Sequence, residues 1–359
     1  MIYAVILAGG KGERFWPLSR YSVPKQFLKL VSDKTLIQQT INRIRPLASD
    51  SNIHVVTNSL FFGLIRKQLA RFKIPPKNIL LEPAPKNTAP AIGWAVMGIA
   101  AVDPEATIVV LPSDHFIQKK ENFLRVLRYA KTLTESEDCL VTFGISPDRA
   151  ETGYGYIKIK PKLTTVKFYQ VERFMEKPNR EKAKMFIKDK RYYWNSGVFM
   201  FKARVILEEI EKYLPELYKK LAKFNSVLNS QQKLKLWQGM PAISIDYGIM
   251  EKSKKVVMIP LNCNWTDLGS WDALAGVFPQ DKSENIIYAD SIDRDSKNIT
   301  VWAKESLGTK SRRLIATIGL RDLIIVDTPD ALLVCKKEKA QEVKKIVEEL
   351  KRRGKKEVL

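Results

Sequence analysis

Two observations predict an α/β protein built on a doubly wound, mostly parallel sheet, followed by a small β-rich domain. Through the first 145 residues, short runs rich in Val and Ile, without polar alternation, take turns with stretches of helical periodicity. Strands buried on both faces read this way, and such strands belong to parallel sheets covered by helices. From residue 285 onward the texture changes to short β-rich pieces at spacings of about 10 residues.

The elements follow in order. Strands are expected at 2–7, 53–57, 78–81, 107–111 and 140–144, with helices at 35–44, 60–72, 89–102 and 122–133. That βαβαβαβαβ order winds a sheet whose ligands sit beyond the carboxyl ends of its strands. After Asp148 the pattern is mixed: antiparallel strands at 154–160 and 170–175, a short helix at 180–188, a strand at 198–201, then helical stretches from 203 to 236. The last part offers strands at 286–288, 299–303, 314–318, 323–327 and 331–334, stacked in the manner of a β-helix. In the tail, Ala340, Val343, Val347 and Leu350 recur at helical spacing, and the ten basic and five acidic side chains of 336–359 give that helix a solvated face. The expected division is 1–280 for the large domain and 281–359 for the small β-rich domain with its terminal helix.

Composition narrows the function. With 45% hydrophobic and 28% charged residues, the chain is of ordinary globular type rather than collagen-like or disordered. The longest uncharged stretch, 87–102, contains Pro90 and is shorter than the roughly 20 apolar residues that span a bilayer, so no membrane partner is expected. The first residues run without a basic leader into a buried strand, and three scattered cysteines make neither a disulfide framework nor a zinc cluster. A cytoplasmic protein is expected. The net charge of +22 is dispersed and lacks an arginine-rich arm, which argues against a nucleic-acid partner and leaves phosphorylated small molecules.

The first strand runs into Leu7-Ala8-Gly9-Gly10-Lys11-Gly12-Glu13-Arg14. Three glycines in four positions let the backbone approach a ligand and turn its N–H groups towards an anion. The spacing is neither the dinucleotide fingerprint, since Phe15 stands where a third glycine is needed, nor a P-loop, since no Gly-Lys-Ser/Thr closes it. Arg14, Pro17, Arg20, Pro24 and Lys25 then set cations on a long, proline-stiffened loop, a pattern that suits a polyphosphate.

With Phe15-Trp16-Pro17-Leu18-Ser19-Arg20 and Pro24-Lys25-Gln26-Phe27, this segment resembles the signature of sugar-1-phosphate nucleotidyltransferases, and within them the mannose-1-phosphate guanylyltransferases. The resemblance continues through Asn87-Thr88-Ala89-Pro90-Ala91, Leu111-Pro112-Ser113-Asp114-His115, Glu151-Thr152-Gly153-Tyr154-Gly155-Tyr156-Ile157 and Glu176-Lys177-Pro178. It extends to Trp194-Asn195-Ser196-Gly197, Ser244-Ile245-Asp246, Trp265-Thr266-Asp267-Leu268-Gly269-Ser270-Trp271 and Asp330-Ala331-Leu332-Leu333-Val334. It covers nearly the whole chain, and it implies a Rossmann-like nucleotidyltransferase fold and transfer of GMP from GTP to mannose 1-phosphate.

The resemblance also implies roles. Asp114 and Asp267 would hold Mg²⁺, a hard cation suited to carboxylate oxygen; Asp114 after a strand otherwise reads as a helix N-cap. Lys25 and Arg14 would stabilise pyrophosphate, and Lys177 would hold the sugar phosphate. Gly153, Gly155, Glu176, Asn195 and Asp246 would surround the hexose. Leu7, Ala8, Gly9, Gly10, Gly12 and Ser113 would meet the nucleotide, with Glu82, Asn87 and Thr88 near its base or ribose. Thr88-Ala89-Pro90 reads equally well as a helix start. Of the two histidines, His54 lies in an apolar strand and reads as structural, and neither it nor His115 is needed as a base, because a sugar phosphate with a second pKa of about 6 is already a dianion.

Rival readings are a nucleotidyltransferase for glucose 1-phosphate with dTTP or UTP, and a catalytically dead homologue that senses nucleotide sugars. Trp16, Gln26-Phe27, Trp194-Asn195 and the Ser-Ile-Asp motif favour the guanylyl branch, and Arg14, Lys25, Asp114, Lys177 and Asp267 are all present. Many relatives carry a further metal-binding isomerase domain; with no histidine in the tail before Leu359, a single activity is expected here. The sequence leaves the oligomeric state open, with a homodimer among the options.

Overall fold

A computed structural model describes residues 1–161, 168–227, 229–303 and 313–359. The chain divides into two compact units, one of Met1–Gly9, Thr40–Ser113 and Ile117–Trp265, the other of Gly10–Gln39, Asp114–Phe116 and Thr266–Leu359. The strands are β1 (Ile2–Leu7), β2 (Ile53–Asn58), β3 (Ile79–Glu82), β4 (Thr107–Pro112), the two-residue β5 (Phe116–Ile117), β6 (Leu140–Ile145), β7 (Tyr156–Ile159), β8 (Tyr169–Met175), β9 (Tyr192–Lys202), β10 (Val256–Pro260) and the two-residue β11 (Trp265–Thr266). Strands β12 (Ile286–Tyr288), β13 (Ser291–Arg294), β14 (Thr300–Trp302), β15 (Ile315–Ile318), β16 (Leu323–Asp327) and β17 (Leu332–Lys336) follow. The helices are α1 (Leu36–Ile44), α2 (Phe62–Leu69), α3 (Thr88–Ala100), α4 (Lys120–Ser136), α5 (Arg180–Phe186), α6 (Ala203–Tyr213), α7 (Pro215–Ser226), α8 (Ser230–Gln238) and α9 (Val343–Arg352).

In the first unit nine strands form one sheet in the order β3-β2-β1-β4-β9-β6-β10-β8-β7. Strands β3, β2, β1 and β4 are parallel, β10 is parallel to β6, and β8 and β9 run against their neighbours. The expected doubly wound, mostly parallel sheet is therefore present, with two reversed strands in its second half. The sequence reading missed β10, whose Val-Val-Met-Ile run pairs in parallel with β6 across Val256–Pro260. It also saw only the end of β9, whose eleven residues include the whole Trp-Asn-Ser-Gly motif. Helix α3 is apolar on nearly every side, as a helix buried between a sheet and α6 and α7 must be. Trp94, Phe224 and Trp237 meet beside it with ring centroids 5.1 to 5.5 Å apart, and the Trp237 indole donates to Ala84 O at 2.7 Å.

In the second unit β12, β14 and β16 stack in parallel register, Ile286 on Thr300 on Ile324, and β17 adds antiparallel to β16. A second parallel pair, β13 and β15, forms the facing layer of the β-helix-like stack. The inward residues Ile286, Trp302, Ile324 and Val326 share one core with Phe15, Trp16, Leu28, Leu30 and Trp271. The loop 10–39 thus packs on the C-terminal strands. Burying side chains of this size contributes on the order of 2 kcal/mol each, enough to fix a loop that has little regular structure. Ala340, Val343 and Val347 are buried as expected from their spacing, though a 3-10 turn at Lys337–Glu342 leads into α9. Among the described residues no helix is long and apolar enough to cross a membrane.

Candidate active site

In the first unit the glycine segment leaves the carboxyl end of β1. Ser113 N donates to Leu7 O at 3.0 Å, Ala8 N to Val56 O at 2.7 Å and Thr57 Oγ1 to Ala8 O at 2.9 Å, so Leu7 and Ala8 are held at the sheet edge. A Cβ on Gly9 would stand 3.0 Å from Glu82 Oε2. Glu82 is buried at the end of β3, and burial pushes its carboxyl up to about 7. Asn87 and Thr88 have evident structural work. Asn87, at φ 68, caps α3 by accepting from Thr88 N at 2.9 Å, and Thr88 Oγ1 accepts from Ile245 N at 2.8 Å, which seats the Ser-Ile-Asp segment.

The sugar-side residues come together in the same unit. Glu176 follows β8, and its Oε2 occupies the space a Cβ on Gly155 would need. Asn195 N donates to Gly155 O at 2.8 Å, and Asn195 Nδ2 donates to Asp246 Oδ1 at 2.9 Å. Asn195 Oδ1 accepts from Thr142 at 3.2 Å and from Gly197 N at 3.1 Å, so the amide is fixed in orientation. This occurs where β6 and β9 slip register between Thr142 and Gly144. Burial and the Asp246 charge push Glu176 up to about 7, against a weaker pull from Lys177, whose Nζ lies 3.6 Å away. Burial also raises Asp246, despite Asn195 and Lys177. Gly153 N donates to Glu151 Oε1 at 2.9 Å. Lys177 has φ 46 and an exposed side chain, and the next residue but one, Asn179, caps α5 by accepting from Lys182 N.

In the second unit Gly12 sits at φ 64, and a Cβ there would run into Lys25 Cβ. The glycine is required by a left-handed backbone and by the close passage of the lysine. Ser19 Oγ donates to Gly12 O at 2.8 Å and Gln26 Nε2 to Gly10 O at 3.0 Å, tying the start of the loop to its return. Lys25 is 5% exposed, and its Nζ donates to Asp114 Oδ2 at 2.7 Å and to Asp267 O at 2.6 Å. The surrounding protein pushes the Asp114 carboxyl up, but the ammonium of Lys25, the nearby His115 and the hydrogen bond from Lys25 outweigh it and hold it below the ordinary range. Asp114 caps no helix, since α4 begins six residues later behind Lys119. Gly269 leaves room for the Asp267 carboxylate, whose Oδ2 would be 2.8 Å from a Cβ there. Arg14 Nη1 donates to Gln341 Oε1. The structure thus brings Lys25, Asp114 and Asp267 together, and separately Gly155, Glu176, Asn195 and Asp246. Sequence reading missed Thr142 and Gln341, which carry no motif and act only as hydrogen-bond partners of motif residues.

A divalent cation fits the second cluster. Carboxylates are hard oxygen donors, and an ammonium already rests against the Asp114 carboxylate and the Asp267 carbonyl. Among the described residues no three His, Cys, Asp or Glu side chains converge to cage a metal alone. The donor set suits an ion that arrives with phosphate oxygens and water as further ligands.

Residues 3–284 match the nucleotidyl transferase family, and residues 295–350 match the MannoseP isomerase/GMP-like beta-helix domain. The chain belongs to the nucleotidyl transferase family, whose enzymes use a divalent metal. Among its relatives, mannose-1-phosphate guanylyltransferase 2 of Escherichia coli O157:H7 is 39% identical over 98% of this chain and 73% of its own length. A mannose-1-phosphate guanylyltransferase of Klebsiella pneumoniae is 38% identical over 98% and 74%. A solved structure described as mannose-1-phosphate geranyltransferase from Thermus thermophilus superposes with a TM-score of 0.87 at 32% identity, covering 98% of this chain and 99% of that one. The chain spans about three quarters of the length of the two guanylyltransferases.

Proposed function

We propose that this chain transfers GMP from GTP to mannose 1-phosphate, releasing pyrophosphate. Relatives of that name, similar over nearly the whole chain, support the reaction, and the Lys25–Asp114–Asp267 cluster carries the reading for this molecule. A phosphate oxygen of mannose 1-phosphate attacks the α-phosphorus of GTP in line. The new P–O bond forms as the bond to the β-phosphate bridge breaks, and pyrophosphate takes the electron pair. No protein base is required, because the dianion is already the nucleophile near neutral pH.

The residues' work is alignment and charge neutralisation. Gly9, Gly10 and Gly12 let backbone N–H groups reach the phosphates, Lys25 and Arg14 neutralise the departing pyrophosphate, and Lys177 holds the attacking phosphate. Glu176, Asn195, Asp246 and Gly153 take the hexose hydroxyls, while Glu82, Asn87 and Thr88 border the base or ribose. Asp114 and Asp267 would hold the cation, proposed as Mg²⁺. When bound it would screen charge at the α-phosphate. Both substrates are cytoplasmic metabolites in this reading, and no nucleic acid or membrane takes part.

The test is pyrophosphate release from purified protein with GTP, mannose 1-phosphate and Mg²⁺, beside ATP, UTP, dTTP and glucose 1-phosphate. Release confined to GTP with mannose 1-phosphate is expected. Release with another pair overturns the specificity, and silence across the panel from folded protein overturns the activity. Light scattering on the same preparation decides between a monomer and a homodimer.

A further inference from the structure

We infer that Gln341, on the 3-10 turn before α9, is a positioning residue that sets the guanidinium of Arg14 for the pyrophosphate leaving group. The inference rests on the role proposed above for Arg14. A chain of hydrogen bonds carries it, every member belonging to the second unit. Arg14 Nη1 donates to Gln341 Oε1, Gln341 Nε2 donates to Ser270 Oγ at 2.8 Å, and Ser270 Oγ donates to Asp272 Oδ1. The donors all point the same way, with a cation at one end and a carboxylate at the other. Such a chain is polarised by its two charges, and each bond strengthens the next.

The amide joins two segments far apart in sequence. At one end is the cationic loop after Gly12; at the other is the 266–272 segment, anchored by Ser270, which is 1% exposed. That second segment also carries Asp267, whose backbone carbonyl accepts from Lys25. Arg14 and Lys25 are therefore both referenced to it, Lys25 directly and Arg14 through Gln341. The loop is braced from behind by core packing, where the Trp271 indole donates to Trp16 O at 3.0 Å. That packing fixes the backbone but leaves a long, rotatable arginine side chain to be aimed. A free guanidinium samples many rotamers, and the fork must be held for its remaining N–H groups to meet phosphate oxygens.

Gln341 itself is exposed and adds nothing to the core. Its two amide atoms are spent on these contacts, and a purely structural role predicts that any loss of activity follows the thermal midpoint. The neighbouring α9 residues Val343 and Val347, both buried, hold the turn in place without it.

The experiment uses the whole chain in both directions, forward turnover and pyrophosphorolysis of GDP-mannose. In Gln341→Met, which keeps the length and removes both hydrogen bonds, kcat/KM for pyrophosphate is expected to fall about tenfold or more. The KM for GDP-mannose and the thermal midpoint should not move. Gln341→Glu keeps the acceptor for Arg14 and should recover most of the loss. Arg14→Lys should be impaired, and adding Gln341→Met to it should cost nothing further, because the aimed group is gone. Full activity of Gln341→Met beside an impaired Arg14→Lys overturns the inference and leaves the role of Arg14 standing. Full activity of both overturns that role as well. Losses that multiply in the double variant, or that track a falling thermal midpoint in both Gln341 variants, make Gln341 structural and also overturn it.

Discussion

At Lys25 an ammonium stands 2.7 Å from a carboxylate, and Asp114 is held below its ordinary range. At Glu176 the nearest cation, Lys177, stands 3.6 Å away on a mostly exposed side chain, and the carboxyl is pushed up to about 7. Both clusters crowd a glycine, Gly12 against Lys25 and Gly155 against Glu176. They differ in the ligand proposed for each, a triphosphate with its metal for the first and a hexose for the second. A site for a triphosphate and its metal must present both signs of charge, and pairing them beforehand keeps each from being stranded in a poorly solvated place. A site for sugar hydroxyls needs acceptors whose hydrogen-bonding capacity is still partly unused, and leaving Glu176 and Asp246 short of cations provides that.

The sharpest way to break this comparison is Lys25→Met. Removing the ammonium leaves Asp114 and the Asp267 carbonyl without it, so turnover should fall on the order of a thousandfold. Stability should drop by about 1–3 kcal/mol, less than for a fully buried pair because the Asp114 side chain is 31% exposed. Adding Asp114→Asn should restore much of the stability and none of the turnover, as read by denaturant melts beside a pyrophosphate assay. Stability that stays lost in the double variant would mean the lysine serves packing, and the pre-paired view of this cluster would fail.

Gly12→Ala comes next. The new methyl needs the left-handed backbone at φ 64 and the space of Lys25 Cβ. A cost of about 2–3 kcal/mol is expected. Displacement of Lys25 should lower kcat about a hundredfold. A substitution at Gly10, where a Cβ meets nothing within 4 Å, should be far milder in stability and serves as the control.

The sequence made the motif residues legible because their chemistry is local: glycines at a strand end, cations on a stiffened loop, carboxylates after strands. The parallel half of the sheet was legible for the same reason, since runs such as Thr107–Pro112 are buried on both faces. What stayed hidden depends on distant pairing. Val256–Pro260 is too short and too plain to declare itself, and becomes a strand only because β6 and β8 flank it. Asn195 falls outside the strand expected at 198–201 but sits inside β9 at a register slip. Gln341 has no motif at all, and the packing of loop 10–39 with Thr266–Leu359 shows in no residue alone.

On the sugar side, Glu176→Gln sharpens the comparison with a smaller effect. Hexose hydroxyls donate to the ionised carboxylate, so binding is coupled to loss of the proton that Glu176 retains up to about 7. The KM for mannose 1-phosphate should therefore rise as pH falls below 7, by at most about tenfold per pH unit. The glutamine variant should show a KM about tenfold higher at pH 8 and, between pH 6 and 7, only the shallower slope of the substrate's own titration, which is half complete at about pH 6. An unchanged slope in the variant would assign the pH dependence to the sugar phosphate alone.

At Glu82 the smallest effect on turnover is expected, and the change appears in stability. Its carboxyl, against Gly9, is pushed up from an ordinary 4.5 to about 7 by burial. Between those two values the folded chain holds a proton that the unfolded chain has released, so the slope of unfolding free energy with pH is negative there. The contribution is neutral below 4.5, and the cost of ionisation grows through the window until it levels off above 7, at no more than about 3 kcal/mol. Glu82→Gln keeps the shape and removes the titration. Relative to the parent, the variant should change little at pH 4.5 and be more stable at pH 8 by about 1–3 kcal/mol. The difference curve isolates Glu82 from Glu176, Asp246 and His54, which titrate alike in both proteins. A flat difference curve would show that Glu82 ionises freely, and with it would go the view that Glu82, like Glu176 and Asp246, is kept short of cations while Asp114 is paired.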